Sequence, residues 1–215
     1  MKSIRLIIFD LDGTLVNTLE DIAHSVNFTL GRLGRPLLTL DTVRQYVGDG
    51  MEMLLTRALG GHAGLLDEAK GIYMAHQSRF LVVNSRLYPG VQETLKHFRS
   101  LPLAVVTNKT LAFSEPLLEQ LGIRHYFGMI IGADSGLPLK PEPDAFLSIM
   151  KDLAVPKEYT VVVGDGTTDI RAGKAAGITT CAVTYGFRSE EELRKAGPDH
   201  VIHAFAELKG LFAVG

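Results

Sequence analysis

The chain opens with a short apolar run that changes abruptly into a turn carrying two carboxylates. The run reads Ile-Arg-Leu-Ile-Ile-Phe from Ile4 to Phe9, and the turn reads Asp-Leu-Asp-Gly-Thr from Asp10 to Thr14. A run of this length, rich in isoleucine and without polar alternation, predicts a strand buried on both faces of a sheet. In open α/β sheets ligands bind beyond the carboxyl ends of the strands, so the turn is a candidate site.

Further apolar runs repeat this pattern along the chain. They lie at residues 103–106, 129–131, 160–163 and 180–183, and a late one surrounds Val201 and Ile202. Segments with helical spacing separate them, and Ser189 with Glu192 forms a capping box for a late helix that Gly197 would end. This alternation predicts an α/β fold with a doubly wound parallel sheet, a Rossmann-like core.

One long segment breaks this alternation. No strand is predicted between residues 16 and 84, whereas apolar residues recur there at helical spacing, beginning with Leu19, Ile22, Ala23, Val26, Leu30 and Leu33. Further helices are predicted at residues 42–47, 51–59 and 66–82. A crossover between parallel strands needs far fewer residues, so the segment is predicted to be an inserted all-helical domain. The predicted division is a discontinuous core of residues 1–15 and 85–215 and a helical domain of residues 16–84.

The composition argues against several classes of protein. The 215 residues include 22 basic and 24 acidic side chains, and the resulting net charge of −2 gives no support for binding to nucleic acid or to a membrane surface. Cys181 is the single cysteine, so an internal disulfide is excluded. Asp10 ends the first apolar run too early for a signal peptide, and no stretch approaches the roughly 20 apolar residues of a membrane helix. We therefore expect a cytoplasmic protein without nucleic-acid or membrane partners.

Polar residues that follow the predicted strands, or stand just ahead of a helix, form a chemically coherent set. The set is Asp10, Asp12, Thr107, Asn108, Lys140, Asp165 and Asp169. Carboxylates from adjacent strand ends suit one Mg²⁺ ion, which prefers a few such oxygens together with water and substrate phosphate. Thr107 and Lys140 suit the peripheral oxygens of that phosphate. Phosphoryl transfer depends mainly on such positioning and charge stabilisation.

The same residues resemble the four motifs of the haloacid dehalogenase superfamily of phosphatases, in order and over the whole chain. Asp10 to Thr14 matches the Asp-x-Asp-Gly-Thr start, Thr107-Asn108 the second motif, Lys140 the third, and the Gly-Asp-x-x-x-Asp block that ends at Asp169 the fourth. The inserted helices resemble the cap domain that the family places after its first motif. The true dehalogenases lack an aspartate at the position of Asp12, so its presence implies phosphate-ester chemistry.

The resemblance implies catalytic and metal-binding roles. Asp10 would be the nucleophile that forms an aspartyl-phosphate, and Asp12 would protonate the leaving oxygen and then deprotonate the attacking water. The implied cofactor is Mg²⁺, with Asp10, Asp165 and the backbone carbonyl of Asp12 as its ligands. Asp169 would act near the metal, through water or by orienting Lys140.

The resemblance also concerns the substrate. Thr107, Asn108 and Lys140 are the implied phosphate-binding residues. Residues 44–51 of the helical insertion resemble the corresponding cap segment of phosphoglycolate phosphatases, which implies a small phosphate ester such as 2-phosphoglycolate. Within this segment Gly48, Asp49 and Gly50 form a candidate specificity loop, because glycines ahead of a helix expose N–H groups that bind anions.

Several other activities stay open on the sequence alone. A sugar phosphomutase of the same superfamily would carry the same core motifs, and so would a pyrophosphatase or a nucleotidase. A non-catalytic phospho-receiver module also combines clustered aspartates, a threonine and a lysine on a doubly wound sheet. The receiver needs neither the Asp-x-Asp-Gly-Thr spacing nor a helical insertion, and both are present here.

Overall fold

A parallel sheet lies at the centre of the structure, a computed structural model that describes residues 1–215. The strands in chain order are β1 (Lys2–Ile4), β2 (Leu6–Phe9), β3 (Val16–Asn17), β4 (Arg86–Leu87), β5 (Leu103–Val106), β6 (Met129–Ile131), β7 (Thr160–Gly164), β8 (Thr179–Val183), β9 (His200–Ile202) and β10 (Phe212–Val214). The helices are α1 (Leu19–Arg32), α2 (Leu40–Tyr46), α3 (Met51–Ala58), α4 (Leu66–Arg79), α5 (Val91–His97), α6 (Leu111–Gln120), α7 (Asp144–Asp152), α8 (Thr167–Ala176), α9 (Glu190–Ala196) and α10 (Leu208–Leu211).

The order of the strands places β2 in the interior of the sheet. The six strands of the main sheet run β6-β5-β2-β7-β8-β9, and all their pairings are parallel. The chain builds outward from β2 through β5 to β6 and then returns to β7 on the other side of β2. The order therefore reverses beside β2, which is where open α/β sheets bind their ligands. The predicted doubly wound parallel sheet is confirmed.

Both faces of the sheet are covered by apolar side chains. Along β2, Leu6 and Ile8 join one buried cluster, while Ile7 and Phe9 join the cluster on the opposite face. Successive side chains of a strand point to opposite faces, so a strand covered on both sides needs apolar residues at every position. This burial explains why the run after Arg5 shows no polar alternation.

The single strand predicted at residues 4–9 is wrong, because two strands occupy it. β1 pairs in parallel with β10 in a separate two-stranded sheet, and β2 belongs to the main sheet. Arg5 separates them: it is exposed, its N–H donates to the carbonyl of Tyr159 at 2.8 Å, and its guanidinium lies 5.8 Å from the centre of the Tyr159 ring. One charged residue therefore turns the chain between two sheets.

The segment between the first two core strands is helical, as predicted. Helices α1 to α4 form it, and α1 packs along both α2 and α4. α2 begins earlier than predicted because Thr39 caps it by accepting a hydrogen bond from the N–H of Thr42 at 3.2 Å. α4 ends at Arg79, before the predicted residue 82. None of the helices of the protein is both long and apolar enough to cross a membrane.

A two-stranded stem joins the helical segment to the core. β3 pairs antiparallel with β4 through Val16 with Leu87 and Asn17 with Arg86. The expectation of no strand between residues 16 and 84 is therefore wrong at β3, since two residues are too few for a periodic pattern. The predicted domain limits, between residues 15 and 16 and between 84 and 85, fall at this stem.

A buried carboxylate ties the two sides of the stem together. Asp21 in α1 accepts hydrogen bonds from the N–H groups of Val83, Asn84 and Ser85 at 3.1, 2.9 and 2.8 Å, and from the Ser85 hydroxyl at 2.6 Å. Burial alone would raise the pKa of Asp21, but these hydrogen bonds outweigh burial and lower the pKa below its ordinary value. The carboxylate thus fixes the start of α1 to the segment that leads back into the core.

We predict that Asp21→Ala lowers the free energy of unfolding by about 3 kcal/mol, because hydrogen bonds to a charged acceptor are lost and buried N–H groups lose their partner. Glu20→Ala, at the exposed neighbouring position, is the matched control and should stay within about 0.5 kcal/mol of wild type in urea unfolding. Because the folded pKa is lowered, the carboxylate stabilises the fold above its unfolded pKa. The difference in the free energy of unfolding between wild type and Asp21→Asn should therefore decrease as the pH falls below about 4. Equal losses in both alanine variants would contradict this role.

Candidate active site

Three carboxylates meet at the carboxyl ends of the two central strands. Asp10 follows β2, Asp165 follows β7, and Asp169 lies in the first turn of α8. One oxygen from each lies within 4.8 Å of the others. The parallel pairing of β2 with β7 brings these residues together, because it aligns Phe9 with Val163 at the strand ends. The sequence prediction that these aspartates share one edge of the sheet agrees with this geometry.

A buried lysine lies among these carboxylates. The Nζ atom of Lys140 donates to Asp10 at 2.8 Å, to Asp169 at 2.6 Å and to the carbonyl of Val106 at 2.7 Å. Burial alone would lower the pKa of Lys140, but the charges of Asp10 and Asp169 outweigh it and raise the pKa. Lys140 is therefore a permanent cation that offsets part of the negative charge.

Lys140 does not balance all of the negative charge of the three carboxylates. Burial raises the pKa of Asp10 well above its ordinary value, and the neighbouring charges of Asp169 and Asp165 add to this while Lys140 opposes it. Burial also raises the pKa of Asp165 to about 7 against the hydrogen bond from the N–H of Phe187. Two carboxylates with raised pKa values in one cleft are typical of a functional site.

Close backbone packing holds Asp165. Its carboxylate accepts from the Thr14 hydroxyl at 3.0 Å and from the N–H of Phe187 at 2.7 Å. A Cβ atom at Gly13 would lie 2.2 Å from Oδ2 of Asp165, and one at Gly186 would lie 2.2 Å from its Cβ. Gly13 also has a φ of +87°, which favours glycine. The first motif and the loop after β8 therefore depend on glycines to let Asp165 approach.

The second carboxylate of the first turn faces a different partner. Asp12 accepts from Nζ of Lys109 at 3.0 Å through both of its oxygens, and from the hydroxyl of Thr18 at 2.6 Å. Its side chain does not belong to the group formed by Asp10, Asp165 and Asp169. Asp12 thus lies on the side of the cleft that faces the helical segment, where Thr18 precedes α1.

Thr107 and Asn108 follow β5, and they differ in whether their side chains keep a hydrogen-bonding group free for a ligand. The Thr107 hydroxyl accepts from the N–H of Lys109 at 3.1 Å, which leaves its own hydrogen available. The Asn108 amide donates to the carbonyls of Gly48 and Lys140, both at 3.0 Å, and accepts from the N–H of Lys140 at 3.0 Å. The Asn108 side chain therefore holds Lys140 and the helical segment in place with all of its polar atoms.

The candidate specificity loop lies over the cleft and is held there by the core. Besides Asn108, Arg188 after β8 donates to the carbonyls of Arg44 and Val47. The charge of Asp49 is paired with Arg57 at 2.5 Å. The loop therefore presents little net charge to the cleft, although it contains an aspartate.

A small cavity lies between Asp10 and the helical segment. Its volume is about 60 Å³. Asp10, Asp12, Thr107 and Lys109 line it from the core, and Met51 and Leu54 line it from α3. Gly48 and Gly50 also line this cavity, whereas Asp49 lines the adjoining cleft beside Asp165.

The donor set fits a hard divalent cation. Asp10 and Asp165 supply carboxylate oxygens from adjacent strand ends, and each oxygen keeps lone pairs beyond its present hydrogen bonds. Asp169 is more fully engaged, since its oxygens accept from Lys140 and from the N–H of Gly166 at 3.0 Å. Mg²⁺ takes few protein carboxylates and keeps waters, so the pair of Asp10 and Asp165 suits it.

Three residues of this site were not predicted from the sequence. Lys109 contacts Asp12, Arg188 binds the helical segment, and Gly186 makes room for Asp165. Lys109 had a usable signal, because it directly follows Thr107 and Asn108 at a strand end. Arg188 had none, since its partners lie 144 and 141 residues away along the chain, and Gly186 had none, because no local pattern shows which side chain packs against a glycine.

Comparisons with known proteins agree with this geometry. A sequence model of the haloacid dehalogenase-like hydrolase family matches residues 7–183. A phosphoglycolate phosphatase of Colwellia psychrerythraea is 39% identical over 214 residues, covering 95% of each chain. One of Pseudomonas savastanoi pv. phaseolicola is 37% identical over 216 residues, covering 95% of this chain and 78% of that protein. The crystal structure of a predicted phosphoglycolate phosphatase from Haemophilus somnus 129pt has a TM-score of 0.93 and 32% identity, covering 98% of this chain and 99% of that one. The chain therefore belongs to the haloacid dehalogenase-like hydrolases.

Proposed function

We propose that this enzyme is a Mg²⁺-dependent phosphomonoester hydrolase that works through an aspartyl-phosphate on Asp10 and acts on a small ester such as 2-phosphoglycolate. The observation that carries the proposal is the group formed by Asp10, Asp165 and Asp169 around Lys140 at the centre of the sheet. Membership of the family supports the reaction class. The names of the relatives support the substrate.

The chain's own residues account for both halves of the reaction. In the first, a carboxylate oxygen of Asp10 attacks phosphorus, the ester P–O bond breaks, and Asp12 gives its proton to the leaving oxygen. In the second, water attacks the same phosphorus, Asp12 takes the proton from that water, and the carboxylate of Asp10 leaves. Phosphate and alcohol are the products, and both aspartates return to their starting state. Mg²⁺, when bound by Asp10, Asp165 and the Asp12 carbonyl, would offset negative charge as the phosphoryl group approaches.

Two of the proposed phosphate-binding residues would contact the phosphate, and the third would position one of them. Lys140 is held beside Asp10, and the Thr107 hydroxyl keeps a free hydrogen at the same cavity, so both suit the oxygens of the phosphoryl group. Asn108 acts through Lys140, whose backbone it fixes by two hydrogen bonds. The amide of Asn108 also holds Gly48, which couples phosphate binding to the position of the helical segment.

The size of the cavity supports a small leaving group. About 60 Å³ is available beside Asp10 and Asp12. Side chains of the helical segment close the cavity and exclude water while the ester bond breaks; opening would then admit the water of the second step. The proposed role of Gly48 and Gly50 is to form the backbone wall of this cavity.

We predict that Asp10→Asn lowers phosphate release from 2-phosphoglycolate by at least about 10³-fold, because the amide keeps the shape but loses the nucleophile. The circular dichroism spectrum should be unchanged, since Lys140 keeps Asp169 as its partner. Asp67→Asn, a fully exposed position in α4, is the control and should keep wild-type activity. Turnover near wild type in Asp10→Asn would show that the nucleophile is wrongly assigned.

We also predict that EDTA abolishes phosphate release and that added Mg²⁺ restores it. Binding of Mg²⁺ should also be measurable without turnover, as a rise in the melting temperature. At about 100 times its dissociation constant, Mg²⁺ stabilises a folded protein by about 2.7 kcal/mol. Asp165→Asn should lose this shift, whereas Asp67→Asn should keep it. Activity that survives chelation, or an equal thermal shift in Asp165→Asn, would contradict the proposed metal site.

A further inference from the structure

The cavity beside Asp12 contains a single basic side chain. Of its 14 lining residues, Lys109 is the only lysine or arginine. The side chain of Lys109 is 8% exposed, and its Nζ atom lies 3.0 Å from both oxygens of Asp12. A largely buried ammonium is costly unless it is paired, and Asp12 supplies that pairing here.

The start of a helix beside Lys109 also favours an anion. Helix α3 begins at Met51, and Gly50 before it supplies no side-chain cap, so the positive end of that helix meets the cavity. Thr110 also lines the cavity, but its hydroxyl has almost no accessible surface.

The nearest negative charges in the helical segment do not compete for this position. Asp49 is paired with Arg57, and it does not line this cavity. The rest of the wall contributed by α1, α3 and α4 is Ile22, Met51, Leu54 and Tyr73. A second anion in the cavity would therefore find Lys109 as its only cationic partner.

The position of Lys109 relative to Asp12 specifies where that anion must lie. Under the proposed function, Asp12 reaches the ester oxygen of the leaving group. In 2-phosphoglycolate one CH₂ group separates this oxygen from a carboxylate. A cation hydrogen-bonded to Asp12 is thus within one side-chain movement of a carboxylate placed next to the ester oxygen.

We infer that Lys109 is a specificity-determining residue of this enzyme: its ammonium pairs with the Asp12 carboxylate in the free enzyme, and in the substrate complex, where Asp12 carries the proton that it donates, it binds the carboxylate of the leaving group. The inference rests on the proposed function and adds the residue that selects the substrate. Neutral leaving groups of equal size gain nothing from this ammonium.

The test compares 2-phosphoglycolate with 2-hydroxyethyl phosphate, which is similar in size but has no carboxylate. Lys109→Met should lower kcat/KM for 2-phosphoglycolate about 10- to 100-fold more than for the neutral ester, as expected for loss of a hydrogen bond between charged groups. Most of this selective loss should appear in KM. Lys109→Arg should recover part of the preference, and Lys96→Met, an exposed lysine in α5, should change neither value.

Two outcomes would overturn the inference. Equal losses of kcat/KM on both esters would show that Lys109 only positions Asp12, and unchanged kcat/KM values for both esters would show that it does not contact the leaving group. A wild-type enzyme that hydrolyses neither ester would contradict the proposed function instead. In that case calorimetric measurement of binding to the Asp10→Asn variant still decides the role of Lys109. Adding Lys109→Met should weaken the binding of 2-phosphoglycolate and leave the binding of 2-hydroxyethyl phosphate unaffected.

Discussion

The pairing of Lys140 with Asp10 and Asp169 is the interaction on which the rest of this site depends. Carboxylates from adjacent strand ends repel one another, and this repulsion grows in a buried cleft where water screens little. Lys140 satisfies two of the three carboxylates with hydrogen bonds of 2.8 and 2.6 Å. The third, Asp165, is held by Thr14 and by the N–H of Phe187 rather than by a side-chain cation. The cleft therefore keeps an excess of negative charge that a proton or a metal ion must offset.

The overall charge of the protein does not reveal this local excess of negative charge. A net charge of −2 over 215 residues is close to neutral. Burial is the main cause of the raised pKa values of Asp10 and Asp165, and the neighbouring carboxylates add to it. A second, separate ion pair joins Lys109 to Asp12. Under the proposed function the site divides into a metal and phosphoryl side around Lys140 and a leaving-group side around Lys109, and each side has its own lysine.

The core of the site was predictable because its residues follow strands. Asp10, Thr107 and Asp165 each come directly after an apolar run, and a parallel sheet brings such positions to one edge whatever the details of packing. The contacts of the helical segment were not predictable in the same way. Asp21 binds Ser85 and Arg188 binds Val47 across separations of 64 and 141 residues. They depend on how the segment docks, which no local pattern records. The break at Arg5 and the two-residue strand β3 were missed because each is too short to alter a periodic signal.

Under the proposed function, Asp10 carries the phosphoryl group during turnover. The most direct measurement is mass spectrometry of peptides from the enzyme, quenched in acid while it turns over 2-phosphoglycolate. The peptide that contains Asp10 should gain the mass of one phosphoryl group, and the gain should disappear in Asp10→Asn and after substrate is exhausted. A rapidly turning-over enzyme with no phosphorylated peptide, or with the phosphoryl group on another residue, would contradict this role of Asp10.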